Sequence, residues 1–189
     1  LQMIERTLVV IKHDGVVRGL IGEILQRFER TGLKFVAMKM IWADEKIADN
    51  HYLVTDEWAK GVFEKTKTAY EKEGRKFPFK DFRQYGQTIK NWNKQFLMEG
   101  PVLAVVVEGP HAIELVRKMV GNTEPRQALP GTIRGDYTFD SYAVADIKQR
   151  PIRNLIHASG NKDEAEREIA LWFKEHELHN YKTQHDAHI

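Results

Sequence analysis

Arg153-Asn154-Leu155-Ile156-His157-Ala158-Ser159-Gly160 is the stretch on which the fold turns. A short apolar run carries one histidine to a turn of small residues. From about Lys162, the spacing of Ala165, Ile169, Trp172 and Phe173 predicts an amphipathic helix whose other sides hold Glu164, Glu166, Arg167 and Glu168. A strand that ends on a histidine just ahead of a helix suits an anion, because the first-turn N–H groups lack partners and carry the positive end of the helix dipole. A neutral imidazole also keeps a lone pair that can attack phosphorus. Alone, such a histidine is more often structural, since short motifs are weak evidence. The rest of the chain decides.

Ile152 to His157 reads as the last of four strands. The first, Thr7 to Ile11, is a continuous apolar run suited to burial on both faces, and it ends in a polar turn, Lys12-His13-Asp14-Gly15. A helix follows on Leu20, Ile21, Ile24, Leu25 and Phe28, stopped at Gly32, and then a second strand from Leu33 to Trp42. Asp44 is placed to cap a short helix through Asn50, which leads into His51-Tyr52. Val102 to Val107 is the third strand, and Ala112, Ile113, Val116, Met119 and Val120 form one face of a helix closed by Gly121. Asn122 to Asp136 reads as a loop, and Tyr137 to Ile152 has no clear period.

Between about residues 54 and 96, lysine, glutamate and aromatics dominate, and Pro78 interrupts the helical pattern. The expectation there is helix, loop, helix, with stripes Trp58, Val62, Phe63 and Ile89, Trp92, Phe96. With that insertion set aside, the order is strand, helix, strand, strand, helix, strand, helix. Two right-handed split crossovers then give an α+β, ferredoxin-like, four-stranded antiparallel sheet with its first and third strands central.

The chain has 189 residues, 42% hydrophobic and 30% charged, which suits one domain over 1–189. A net charge of +2 is too small to imply a specific nucleic-acid or membrane partner, and without cysteine there is no disulfide framework and no thiolate chemistry. No signal pattern and no spanning apolar run is visible, so the expectation is a cytoplasmic protein. The polar tail, about 175–189, holds His176, His179, His185 and His188 at spacings that match no compact metal-ligand set, and is expected to be solvated.

Four ordered blocks carry a family resemblance. Glu5-Arg6-Thr7-Leu8-Val9-Val10-Ile11-Lys12 with Arg18-Gly19-Leu20-Ile21-Gly22-Glu23, then Pro130-Gly131-Thr132-Ile133-Arg134-Gly135-Asp136, then Asn154 to Ser159, then Ala165-Glu166-Arg167-Glu168-Ile169 resemble nucleoside diphosphate kinase. The resemblance implies transfer of the terminal phosphoryl group of a nucleoside triphosphate such as ATP to a nucleoside diphosphate. It implies a ping-pong reaction through phosphorylated His157, with Mg2+ carried on the nucleotide and no metal ligand from the protein. By the same resemblance Glu168 and Ser159 support the histidine, Lys12 contacts ribose and the moving phosphate, and Tyr52 lines the pocket. Arg117, Thr123 and Arg134 hold phosphates, and Asn154 reads the sugar. Spacing alone does not choose among Glu164, Glu166 and Glu168; the resemblance chooses Glu168. A homo-oligomer, hexamer or tetramer, is implied as well.

Four features depart from the family's pattern, one of them a second, shorter expansion from about Asp140 to Arg150 just before the last strand. His13 stands where proline is usual, Gly160 replaces an acidic residue and is expected to loosen the approach to the helix, and the insertion displaces the base clamp. Counting back from Gly100-Pro101 puts Ile89 and Asn93 at the base, with Trp92, Phe79 or Phe82 as alternative rings.

Overall fold

A computed structural model describes residues 3–188; Ile189 at the end of the tail, and the side chains of 187–189, lie outside the described residues. Strands β1 (Ile4–Ile11), β2 (Lys34–Ile41), β3 (Val102–Pro110) and β4 (Ile156–Ala158) form one antiparallel sheet in the order β2-β3-β1-β4. The two apolar runs occupy its centre, as continuous hydrophobicity requires of strands covered on both faces. This is the ferredoxin-like order.

Alternation along β1 divides the core. Val9 and Ile11 face α2 (Ile21–Glu29) and α6 (Ala112–Val120), packing with Ile24, Phe28 and Val116, whereas Leu8 and Val10 face α3 (Glu45–His51) and α9 (Lys162–Trp172) with Ala48, Ile169 and Trp172. On β4, Ile156 and Ala158 belong to the first layer. His157 pairs with Val10 and therefore points to the second, toward α9.

Helix starts follow the cap residues. Asp44 accepts from the Ile47 N–H at 2.8 Å at the head of α3, as its position predicts. Thr55 and Asp81 do the same for the helices of the charged region, α4 (Asp56–Lys72) and α5 (Phe82–Leu97). The helix, loop, helix expectation holds, but its stripe is revised: Phe63, Tyr70, Tyr85 and Phe96 are buried, while Trp58 is exposed. Phe77 and Phe79 pack on Tyr85 at 5.1 and 4.8 Å, so Phe79 fills this local core.

Other expectations change. The Lys12-His13-Asp14-Gly15 turn is the start of a short helix, α1 (His13–Val17), tied down by His13 Nδ1 at 3.2 Å from the Pro101 carbonyl. The 122–136 loop contains a 3-10 turn, Pro125–Gln127, and runs into α7 (Ile133–Tyr137), capped by Thr132. The stretch without a period holds α8 (Tyr142–Ile147), capped by Ser141. The last strand starts at Ile156 and not at Ile152, because Leu155 has φ 67, which no extended strand accommodates. Residues 175–186 of the tail are mostly exposed yet tethered along the edge strand: His179 N–H donates to the Val36 carbonyl at 2.7 Å and Tyr181 Oη to that of Phe35 at 2.6 Å.

Candidate active site

The left-handed Leu155 is held from both sides. Its carbonyl accepts from Lys12 N–H at 2.7 Å, and its N–H donates to Asp14 at 3.1 Å. That kink lets neighbouring residues do different work. Asn154 turns its amide toward β1 and the 121–123 segment, while Ile156 begins the ladder that sets His157 beside Val10.

His157 Nε2 lies 2.9 Å from Glu168 Oε2, and the same oxygen accepts from Ser159 Oγ at 2.7 Å. An ionised carboxylate only accepts, so this network assigns the imidazole proton to Nε2 and leaves a lone pair on Nδ1. Burial raises the affinity of Glu168 for a proton. The field of His157 in its protonated form and hydrogen bonds from His157 and Ser159 outweigh it and hold the carboxyl below its ordinary range. Glu168, rather than Glu164 or Glu166, therefore faces the histidine. Glu164 accepts from Gly160 N–H at 2.8 Å, and Asn161 caps the Glu164 N–H at 2.9 Å. The turn before α9 is thus closed by side chains and is not a free anion site. Gly160 tightens it: a Cβ there would stand 2.6 Å from the Glu164 carboxylate.

Lys12 is buried at the end of β1, its Nζ 2.8 Å from Asn154 Oδ1 and 5.1 Å from the Phe96 ring centroid. Desolvation, then the field of Arg134, lower its pKa to about 8. Asn154 is also buried, and its Nδ2 donates to the Thr123 carbonyl at 2.9 Å, so one amide ties the lysine to the loop after α6. Arg134 is buried with three donors on the carbonyls of Asn154 (3.1 Å), Gly121 (3.0 Å) and Ile156 (2.6 Å); burial lowers its pKa to about 10. Arg117 and Thr123 are exposed at the rim. Tyr52 presents a buried hydroxyl with no partner among the described residues, and burial pushes its pKa up.

Lys12, Tyr52, Arg117, Thr123, Arg134, Asn154, His157 and Glu168 line one cavity of about 780 Å³, and Ser159 does not; Ile89, Trp92 and Asn93 from α5 and Trp58 from α4 line it too. Phe79 and Phe82 do not line it. Sequence reasoning missed two residues that line this cavity: Ile152, and His51, a wholly buried imidazole whose ring centroid is 4.3 Å from that of His157. Only its adjacency to Tyr52 marked it.

Among the described residues, the one cluster with metal-ligand proximity is His51, His157 and Glu168. Two imidazoles do not suit Mg2+, which prefers oxygen ligands, and Asp14 is spent on the N–H groups of Gly15 and Leu155. The described residues therefore do not suit a protein-held Mg2+. Among the described residues, no helix is long and apolar enough to cross a membrane.

Known proteins similar to this chain bear on its family and fold. The family model for nucleoside diphosphate kinase matches residues 5–74 and 83–178, which leaves out only the link between α4 and α5 and the chain ends. A nucleoside diphosphate kinase of Pyrococcus furiosus is 46% identical over 178 residues, 94% of this chain and 88% of that one. The crystal structure of an NDP kinase from Pyrobaculum aerophilum superposes with a TM-score of 0.88 at 41% identity, over 93% of this chain and 98% of that one. A transition-state mimic of the Borrelia burgdorferi enzyme, with bound vanadate and ADP, gives a TM-score of 0.82 at 40% identity, covering 100% of this chain and 98% of that one. With coverage this complete, the α4–α5 hairpin has counterparts in these relatives. By matched family model, sequence identity and fold alike, the chain belongs to the nucleoside diphosphate kinase family.

Proposed function

We propose that the family's reaction runs in this chain through His157, on a magnesium nucleotide bound in the cavity that His157, Lys12, Arg117 and Asn154 share. The observation that carries the assignment is the 2.9 Å contact between His157 Nε2 and Glu168, which leaves Nδ1 as the nucleophile. Nδ1 attacks the γ-phosphorus of a nucleoside triphosphate, the bond to the β-phosphate oxygen breaks, and the diphosphate leaves. The ring, still protonated at Nε2, then carries positive charge that Glu168 offsets. A second diphosphate attacks the phosphoryl group, the N–P bond breaks, and the lone pair returns to Nδ1. Two half-reactions let one nucleotide site serve donor and acceptor.

Little else is asked of the protein beyond holding phosphates in line and balancing charge. Lys12 and Arg117 supply cations, and Thr123 a hydroxyl at the rim. Arg134 adds a fixed positive charge while it anchors three carbonyls. Tyr52 has a hydroxyl to donate, and Asn154 has donor capacity for the sugar. Ile89 and Ile152, both on the cavity wall, supply apolar surface for the base, and apolar contact with its face accepts every base. The enzyme is a cytoplasmic homo-oligomer in this reading. Steady-state rates with ATP and GDP varied together test it: parallel double-reciprocal lines are expected, and intersecting lines, which require a ternary complex, would refute the phosphohistidine route.

A further inference from the structure

Helix α9 serves two imidazoles. Glu168 and Trp172 lie one turn apart on it; the carboxylate meets His157 Nε2 at 2.9 Å, and the indole Nε1–H donates to His51 Nδ1 at 3.2 Å. An indole nitrogen only donates, so Nδ1 of His51 is the acceptor and its proton sits on Nε2. The His51 side chain is 0% exposed, and its ring meets that of His157 edge to face, centroids 4.3 Å apart and planes at 77°. Tyr52 packs on it at 4.7 Å and Trp172 at 5.5 Å. The charged groups around it are Glu168, whose Oε1 is 4.0 Å from Nδ1, and Lys12, Arg167 and His157. Burial, followed by the fields of His157 when it is protonated, Lys12 and Arg167, keeps this imidazole neutral.

We propose that His51 is a positioning residue for phosphoryl transfer: a tautomer-locked imidazole, fixed by Trp172, that packs on the His157 ring and holds the nucleophile in one orientation through both half-reactions. The proposal rests on the assignment of His157 above. A single hydrogen bond at Nε2 leaves the His157 ring able to tilt about the Nε2···Oε2 line, and an edge-to-face neighbour stops that tilt. Neutrality matters equally, because a cation at this distance would oppose the charge His157 acquires as Nδ1 bonds phosphorus. An aliphatic side chain would fill the space but leave the Trp172 N–H buried without an acceptor.

Single-turnover phosphorylation by magnesium ATP, with ATP affinity and melting temperature measured alongside, tests this on wild type, His51→Asn and His51→Phe. Asparagine keeps an acceptor for Trp172 and loses the ring. Its phosphohistidine formation is expected to slow by about tenfold or more, with ATP affinity unchanged. Phenylalanine keeps a ring and loses the acceptor, so it is expected to recover most of the rate per folded molecule while melting lower. Nitrogen-15 spectra of wild type should show the Nε2–H tautomer of His51 at neutral pH. Wild-type rates in His51→Asn, equal slowing in both variants, or an Nδ1–H tautomer would each overturn the proposal. Wild type that takes up no label at all would instead remove the His157 assignment beneath it.

Discussion

His157 and Glu168 are joined by a 2.9 Å contact between a strand residue and a helix residue eleven positions apart, and Ser159 fills the other approach to the same carboxylate oxygen. Glu168→Gln keeps the shape and removes the charge. Phosphohistidine formation in single turnover is expected to slow by about 10–100-fold, with ATP affinity nearly unchanged; equal rates would mean that the carboxylate does no electrostatic work. The carboxyl is held below its ordinary pKa, so its contribution to stability is present above the unfolded pKa and lost as pH falls through the folded value. Denaturation by urea should therefore show the gap between wild type and Glu168→Gln closing in acid.

Lys12 gives two opposite pH trends. With its pKa lowered from 10.5 to about 8, the lysine is charged below that value and neutral above it. Affinity for a polyanionic nucleotide should fall above about pH 8, and Lys12→Gln should flatten that limb. Stability of the free protein should move the other way. Between pH 8 and 10.5 the unfolded chain binds more protons than the folded one, so this group makes stability rise with pH. Calorimetric titration with ATP and denaturant melts at matched pH check both; parallel trends would contradict the assignment.

Asn154→Ala removes both a partner of Lys12 Nζ and the donor to the Thr123 carbonyl. A sugar contact alone predicts weaker nucleotide use with stability unchanged. The buried, doubly bonded amide predicts both a higher KM and a stability loss of about 1–3 kcal/mol. Chemical denaturation next to steady-state kinetics separates these outcomes.

Two arginines that the sequence treats alike should behave differently. Arg134 spends three donors on backbone carbonyls, so Arg134→Lys should cost about 3 kcal/mol of stability as well as activity. Arg117 is exposed and its side chain has no hydrogen bond among the described residues, so Arg117→Ala should weaken ATP binding and leave the melting temperature within a degree or so.

What was legible in the sequence followed from periodicity and order. The apolar runs Thr7–Ile11 and Val102–Val107 announce central strands, and Asp44 announces a cap; both follow from local chemistry. Leu155 escapes that logic. An apolar residue in an apolar run reads as strand, and its left-handed backbone is imposed by Asp14 and Lys12 from far along the chain. Gly160 misleads for a similar reason, since Glu164, four residues later, supplies the acid that the turn lacks. His51 was invisible because burial between Trp172 and His157 depends on how α3 and α9 pack. The tail reads as solvated because the polar side chains of 175–186 are mostly exposed, but its backbone bonds to the β2 edge.

The central claim is that His157 carries the phosphoryl group. Wild type and His157→Ala should be incubated with γ-labelled ATP and magnesium, stripped of nucleotide, assayed for acid-labile label on the protein, and then given GDP. Label on wild type alone, discharged to GTP, is the predicted result. Folded wild type that binds ATP without acquiring label, or His157→Ala that labels equally, would contradict it.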